Sequence, residues 1–390
     1  MRLMLRYFSR CFFGLRVRLL FFFVCLMSGS VAWSHSSSTT FIEVSESEER
    51  LLTVRLDIPL RDIALRVDFD RNGDGAVTWS EVKAQKPIVI PWVKDGFRFQ
   101  RQGQLCALTD DDSNWAIASY GEEVYLSVVS QINCPNATTA GPLDLRYSLL
   151  FDQDALHRGL VKASLGGTSH SAILSPDRPD YRFDASSSGF LAVLSGYFIE
   201  GVWHIWIGAD HILFLISLLL PCVFLRESAG LGHWRASQQL RSSLISVLAV
   251  VTAFTVAHSI TLAMTVLDVI SPPAGFVEPV IAASVIVAAL GNLTKTLIHL
   301  RWQIAFLFGL IHGFGFASVL ADLGLPSDQL ASALLGFNLG VEFGQLAIVA
   351  LFFPIAWRLR ATAFYRWGIV FGGSVLIAVI ASYWLFERLS

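Results

Sequence analysis

The sequence predicts a two-part chain: a small, mostly β exported domain, then an α-helical membrane bundle of six transmembrane helices. Three observations predict it. Of 390 residues, 54% are hydrophobic and only 15% charged, whereas soluble domains carry about 25% charged residues; the mean hydropathy is +0.55. The C-terminal half holds six apolar runs, each near or above the ~20 residues that span ~30 Å of hydrocarbon. Ahead of them the chain is polar, with short alternating runs bounded by Gly, Asn, Asp and Pro. The net charge of −2 points to neither nucleic acid nor a polyanion as partner.

Residues 1–34 read as a signal peptide. Arg2, Arg6, Arg10, Arg16 and Arg18 precede the apolar run 19–27, and Ala32-Trp33-Ser34 offers a small-x-small cleavage site. Cleavage there leaves His35 as the first residue and removes Cys11 and Cys25; an uncleaved anchor is the alternative.

Residues 35–185 are the predicted β-rich domain. The stretches 51–58 and 123–129 alternate apolar and polar side chains, the period of a half-buried strand. Cys106 and Cys134 are its only cysteines, and in an oxidising compartment they are expected to form a disulfide rather than stay free thiols. The five cysteines of the chain include no CxxC pair, so no thiolate metal site is signalled. Residues 70–81 read Asp-Arg-Asn-Gly-Asp-Gly-Ala-Val-Thr-Trp-Ser-Glu, which matches an EF-hand-like Ca²⁺ loop. Asp70, Asn72 and Asp74 supply side-chain oxygens, Gly75 the turn, Ala76 a backbone carbonyl, Thr78 the ninth place and Glu81 a two-oxygen closure. A lone structural Ca²⁺ site is expected here, with an empty loop as the alternative.

After a serine-rich joint at 186–188, residues 186–202 read as a helix lying at the membrane interface, because 190–199 is apolar but short and holds Gly and Ser. The transmembrane domain then covers 203–390, with apolar runs at about 203–225, 242–267, 279–298, 302–321, 330–356 and 364–386. The loops after the odd-numbered runs carry Arg226, Arg235, Arg241, Lys295, Arg301, Arg358, Arg360 and Arg366. Those after the second and fourth carry Asp268, Glu278, Asp322 and Asp328. Positive charge marks the cytoplasmic side, so the β domain is expected outside, as the export signal also requires.

Ionisable residues inside a membrane are costly and read as functional by default. His204, Asp210 and His211 head the first run, and His204 and His211, seven apart, share a helix face. His258 and His312 each lie about nine residues from the outer ends of their runs. Ser284 lies less than two turns below Glu278. Asn338 and Glu342 stand about eight and twelve residues into the fifth run. At ~1.5 Å per residue, these helices bring their polar groups to one depth in the outer half of the bilayer.

Several imidazoles with one or two carboxylates suit Ni²⁺, Co²⁺, Zn²⁺ or Cu²⁺, and are too rich in nitrogen for Mg²⁺ or Ca²⁺. The predicted metal ligands are therefore His204, Asp210, His211, His258, His312 and Glu342. His211, His258 and His312 with Asp210 form the expected buried set, and His204 is the shallower doorstep. Gly208, Gly313, Gly315, Gly340 and Gly344 allow close helix approach. Thr255, Ser259, Asn338 and Gln345 are candidates to fix imidazole tautomers. For each histidine alone an interhelical hydrogen bond is the ordinary alternative, and Glu342 can equally be a helix contact. Glu278 is expected to be wet. His233 and His299, and His35, His157 and His170 in the exported part, are expected at the solvated surface.

His204-x5-Asp210-His211, Phe254-Thr-x-x-His258-Ser259, the stretch Gly-Leu-Ile-His-Gly-Phe-Gly-Phe at 309–316 and Phe337-Asn-Leu-Gly-Val-Glu342 resemble the HupE/UreJ family of bacterial membrane proteins. Leu60-Arg-Asp-Ile63 and the acidic loop after it resemble the longer branch of that family. Such proteins are linked to hydrogenase and urease maturation and are regarded as nickel or cobalt permeases. The resemblance implies a multi-pass protein of the bacterial inner membrane, its N-terminal domain in the periplasm, handling a divalent metal ion. The family's His-and-Asp motif falls on His204, Asp210 and His211; the proline that follows the first histidine in shorter members is Ile205 here.

Two other readings stay open. A membrane-embedded hydrolase would bind Zn²⁺ through His211, His258 and His312 and use Asp210 or Glu342 as the general base for the bound water. The inner halves of the spans offer little polar path beyond Asn292 and Thr294, which suits that reading. A receptor or assembly protein would keep the cluster as a structural clamp while the outer domain holds a periplasmic partner.

Overall fold

The computed structural model describes residues 38–47, 51–120, 123–134, 142–184, 189–226, 234–294, 300–322 and 327–389. The expected signal peptide, the serine-rich joint, His35, His233 and His299 lie outside the described residues.

The N-terminal region is built from β-sheets. Strands β1 (Thr39–Glu46) and β2 (Leu52–Pro59) lead into three short helices, α1 (Leu60–Ala64), α2 (Trp79–Ala84) and α3 (Lys86–Gly96). Eight strands follow: β3 (Phe97–Arg101), β4 (Gln104–Leu105), β5 (Ala107–Tyr120), β6 (Glu123–Asn133), β7 (Leu143–Tyr147), β8 (Arg158–Leu165), β9 (Thr168–Leu174) and β10 (Asp180–Phe183). One sheet has the order β5-β6-β2-β1-β8-β9 and the other β10-β7-β3-β4. Every pairing is antiparallel except β1 with β8. Alternation sets which side faces in: Phe97 and Phe99 on β3 are fully buried while Arg98 points out. Ile42, Leu56, Ile58 and Leu126 of the larger sheet join Phe97, Phe99, Leu145 and Tyr147 of the smaller one in a single core.

Cys106, just ahead of β5, is disulfide-bonded to Cys134, just after β6, across adjacent strands. The loop at 70–81 is shaped by its own side chains. Asp70 accepts hydrogen bonds from the backbone N–H groups of Gly73, Asp74 and Gly75, at 2.9, 3.1 and 2.9 Å. Asn72 accepts from Asp74 N, and Asp74 from Ala76 N. Gly73 and Gly75 hold φ of 72° and 79°, which favours glycine at both places. Glu81 folds back on Thr78 in a capping box that starts α2.

Two expectations fail here. His157 and His170 are buried, at 0% and 3% exposure, not solvated. Each enters an aromatic cluster, His157 with Tyr147 and Phe151, and His170 with Tyr181 and Phe183. Imidazole stacks as well as it hydrates, so its polarity was no guide to burial.

The C-terminal part is helical: α4 (Phe190–Ile207), α5 (Ala209–Leu219), α6 (Leu240–Val266), α7 (Ala274–Thr294), α8 (Arg301–Asp322), α9 (Ser327–Leu359), a π-helical stretch (Phe364–Gly372) and α10 (Gly373–Glu387). A small ribbon, β11 (Phe224–Arg226) with β12 (Trp234–Ala236), joins α5 to α6. Among the described residues, five helices are long and apolar enough to cross a membrane: Phe190–Ile207, Leu240–Val266, Gly275–Leu293, Gln329–Leu359 and Phe364–Glu387. With 22 residues, α8 is about 33 Å long.

The structure redraws the start of the bundle. One continuous helix runs through residue 202 to Ile207, and the break comes at Gly208, before the 11-residue α5. Hydropathy averages smoothly across a glycine, so the first apolar run concealed this break. Two helix pairs make the frame. The line Gly201, Gly336 and Gly340 brings α4 and α9 together so tightly that a Cβ at Gly340 would lie 2.0 Å from the Phe198 carbonyl oxygen. Gly313 lets α8 approach α6, where a Cβ would lie 2.1 Å from Thr261 Oγ1.

The β domain packs on this frame. Phe41, Tyr125 and Leu160 share an apolar cluster with Val193, Tyr197, Leu262, Ala333 and Phe337. Gln329 of α9 accepts from Ser171 Oγ at 2.6 Å and donates to the Ser169 carbonyl at 2.6 Å. Glu200 of α4, 9% exposed, receives Arg178 at 3.0 Å and Arg158 at 3.4 Å.

Candidate metal centre

The break at Gly208 builds the site. His204 lies in the last turn of α4, and Asp210 and His211 in the first turn of α5. Gly208 turns with φ −70° and ψ 93°. A Cβ there would stand 2.7 Å from the His204 carbonyl oxygen and 2.8 Å from His211 Nδ1. Two histidines that a straight helix would separate by two turns are thereby folded together, with ring centroids 4.5 Å apart.

His258 of α6 completes a trio. Its ring lies 5.9 Å from His204 and 6.3 Å from His211, and one ligand nitrogen from each of the three falls within 4.8 Å of the others. At metal–nitrogen distances of ~2.0–2.1 Å, an inward shift of about 1 Å would bring all three to one ion. Among the described residues, this is the one group of three or more His, Cys, Asp or Glu gathered so closely. Phe337 packs on both His204 and His258, tilted against the first ring and stacked on the second.

His312 of α8 stands beside the trio, its ring 4.9 Å from that of His211, with Nε2 at 3.0 Å from Ser284 Oγ on α7. Among the described residues, His211 Nε2, one ring nitrogen of His258 and His312 Nδ1 are buried and close no hydrogen bond. Buried polar atoms are nearly always paired. Several imidazole nitrogens left so, facing one another, are the donor set that a late first-row cation takes up.

Asp210 orients this set without joining the trio. Its Oδ1 lies 2.9 Å from His211 Nδ1 and accepts from His211 N at 2.9 Å. A carboxylate only accepts, so Nδ1 carries the proton and the buried Nε2 is left with its lone pair. Arg388, one residue beyond α10, sits on the other side of the same carboxylate.

The predicted residues thus divide. His204, expected at the doorstep, is a full member of the trio, because the break at Gly208 folds it back. His312 is the flanking ring. Glu342 points to α6 at another place and accepts from Thr252 Oγ1 at 2.9 Å. Thr255 bonds Gln345 and Ser259 bonds the Thr255 carbonyl, so neither of these bonds reaches an imidazole, whereas Asn338 donates to the Leu334 carbonyl and its side chain also bonds His258. Glu278 is half-exposed and faces Arg388. Arg388 and Glu200 were missed. A lone arginine on the side where the other loops carry only acids was the available signal for Arg388.

Apolar helices converging imidazoles from three elements on one point define a multi-pass membrane protein with a histidine cluster that could hold a metal ion. A family model described as HupE / UreJ protein matches residues 183–388, just over half of the 390-residue chain, and the chain belongs to that family. The family points to a role connected with metal transport. No curated protein matches the chain.

Proposed function

We propose that the chain is an inner-membrane permease for a divalent transition-metal ion of the nickel and cobalt class, loading the ion from the periplasm at His204, His211 and His258. The observation that carries this reading is the helix broken at Gly208 with a ligand on each side of the break. Transporters bind substrates at broken helices because the break frees groups from the helix and can re-form in a second state. The basic loops named above support a periplasmic side for the β domain and the trio, with residues 1–34 removed as a signal peptide on this reading. A Ca²⁺ ion at 70–81 belongs to the same proposal, as a structural ion of the outer domain. For a hydrolase, Asp210 or Glu342 would have to serve as base. Asp210 is engaged by His211 and Arg388, and Glu342 by Thr252, which favours transport.

The reading predicts that His211→Ala and His258→Ala each abolish Ni²⁺ or Co²⁺ binding while the protein still inserts and elutes as the folded species. Purified protein in proteoliposomes should accumulate radioactive Ni²⁺ in the lumen. Stoichiometric binding with no accumulation would overturn the permease, and wild-type metal content in both variants would overturn the site.

A further inference from the structure

Arg388 follows the last helix and its side chain is 11% exposed. Its Nη2 lies 3.7 Å from Asp210 Oδ2. Nη1 donates to the Glu278 backbone carbonyl at 3.0 Å, and Nε stands 3.8 Å from Glu278 Oε2. The other Asp210 oxygen is the one that meets His211 Nδ1. A chain of contacts therefore runs from the residue after α10, through one carboxylate, to an imidazole of the trio.

We propose that Arg388 is a positioning residue of the metal centre, acting through Asp210 to hold the His211 ring with its Nε2 lone pair facing His204 and His258. This rests on the reading of the trio as a metal site. The physical argument is one of charge and geometry. A guanidinium keeps its charge in any protein setting and offers a planar fork. Placed against Oδ2, it stops the carboxylate turning away, so Oδ1 stays on Nδ1. A histidine with a carboxylate on its far nitrogen is the common outer arrangement of metal sites, and loss of such a partner costs 10- to 100-fold in affinity. The Glu278 carbonyl anchors the guanidinium, fixing where its charge sits. Without that charge, His211 is free to swap tautomers or rotate, and the trio loses a fixed member.

A purely structural role, tying the end of α10 to α7 through Glu278, would also make Arg388 matter. Two variants separate the roles. Arg388→Gln can still donate to the Glu278 carbonyl but carries no charge, and Arg388→Lys keeps the charge on a different frame. Full-length protein in detergent is titrated with Co²⁺ and its melting temperature measured without metal. Arg388→Gln should bind Co²⁺ 10- to 100-fold more weakly at a near-normal melting temperature, and Arg388→Lys should recover most of the loss. Because the effect passes through Asp210, Asp210→Asn with Arg388→Gln should bind no more weakly than Asp210→Asn alone. Wild-type affinity in Arg388→Gln, or a further tenfold loss in the double variant, overturns the proposal. Failure of the wild type itself to bind Co²⁺ is a different result: it removes the site, and the relay with it.

Discussion

His157 is fully buried between Ser38 and Tyr147, with Nε2 2.6 Å from the Tyr147 hydroxyl and Nδ1 against Ser38 Oγ. Burial, with Arg158 adding to it, holds its pKa down to about 3, against an ordinary 6.5. The folded protein keeps this ring neutral, whereas the unfolded chain takes up a proton below pH 6.5. Stability from His157 is therefore present above pH 6.5 and is lost as pH falls toward 3, by roughly 1.4 kcal/mol per unit. Asp62, which accepts from Ser38 Oγ at 2.7 Å, is pushed up by burial and works in the opposite sense, partly offsetting the loss in the carboxylate range. We expect His157→Gln to flatten the dependence of melting temperature on pH between 6.5 and 4.5. Equal slopes in variant and wild type would show that another group controls it. The sequence offered a histidine among polar neighbours; only the fold placed it between two sheets.

At the scale of the element, the loop at 70–81 and the first membrane helix make opposite cases. The loop was legible because its spacing is local chemistry: each acceptor serves N–H groups two to five residues away, and two glycines take the turns. On the proposed Ca²⁺ reading, stripping Ca²⁺ from the full-length protein lowers its melting temperature and adding it back restores it. A ligand at 100 times its Kd stabilises by about 2.7 kcal/mol. Glu81→Gln should lose that response; a melting temperature indifferent to Ca²⁺ would leave the loop an ordinary turn. The helix break was illegible, because Gly208 in an apolar run is compatible with a straight helix, a kink or a corner. What chooses the corner is partner identity, α4 packing along α9 while α5 packs against α7.

Across the whole molecule, the β domain and the bundle meet at Glu200, one turn ahead of His204. Arg178 is partly exposed and Arg158 largely buried, so Glu200 ties both arginines to the helix that carries the site. Replacing it with alanine leaves the largely buried Arg158 guanidinium without its counter-charge, though still donating to the Ala155 and His157 carbonyls, at a cost of about 1–3 kcal/mol once the wetter arginine is discounted. Glu200→Ala should lower the melting temperature and raise the rate at which protease separates the β domain from the bundle. A cleavage rate equal to wild type would mean that the apolar cluster around Phe41 and Phe337 holds the two parts without it. A carboxylate in an apolar helix was visible in the sequence, but its partners lie 42 and 22 residues back, on strand β8 and in the turn before β10.

The sequence by itself determined the division into a β-rich part and a membrane part, the Cys106–Cys134 candidate pair, the acidic loop and the histidines worth attention. Those are matters of composition, period and short-range spacing, which survive in one dimension. Tertiary structure decided which histidines meet, that His204 belongs among them, that Glu342 faces Thr252 and that Arg388 stands behind Asp210. Such contacts depend on where a helix breaks and on how closely glycines let two helices come. Both are set by the backbone of a distant partner, and no local pattern in the chain encodes them.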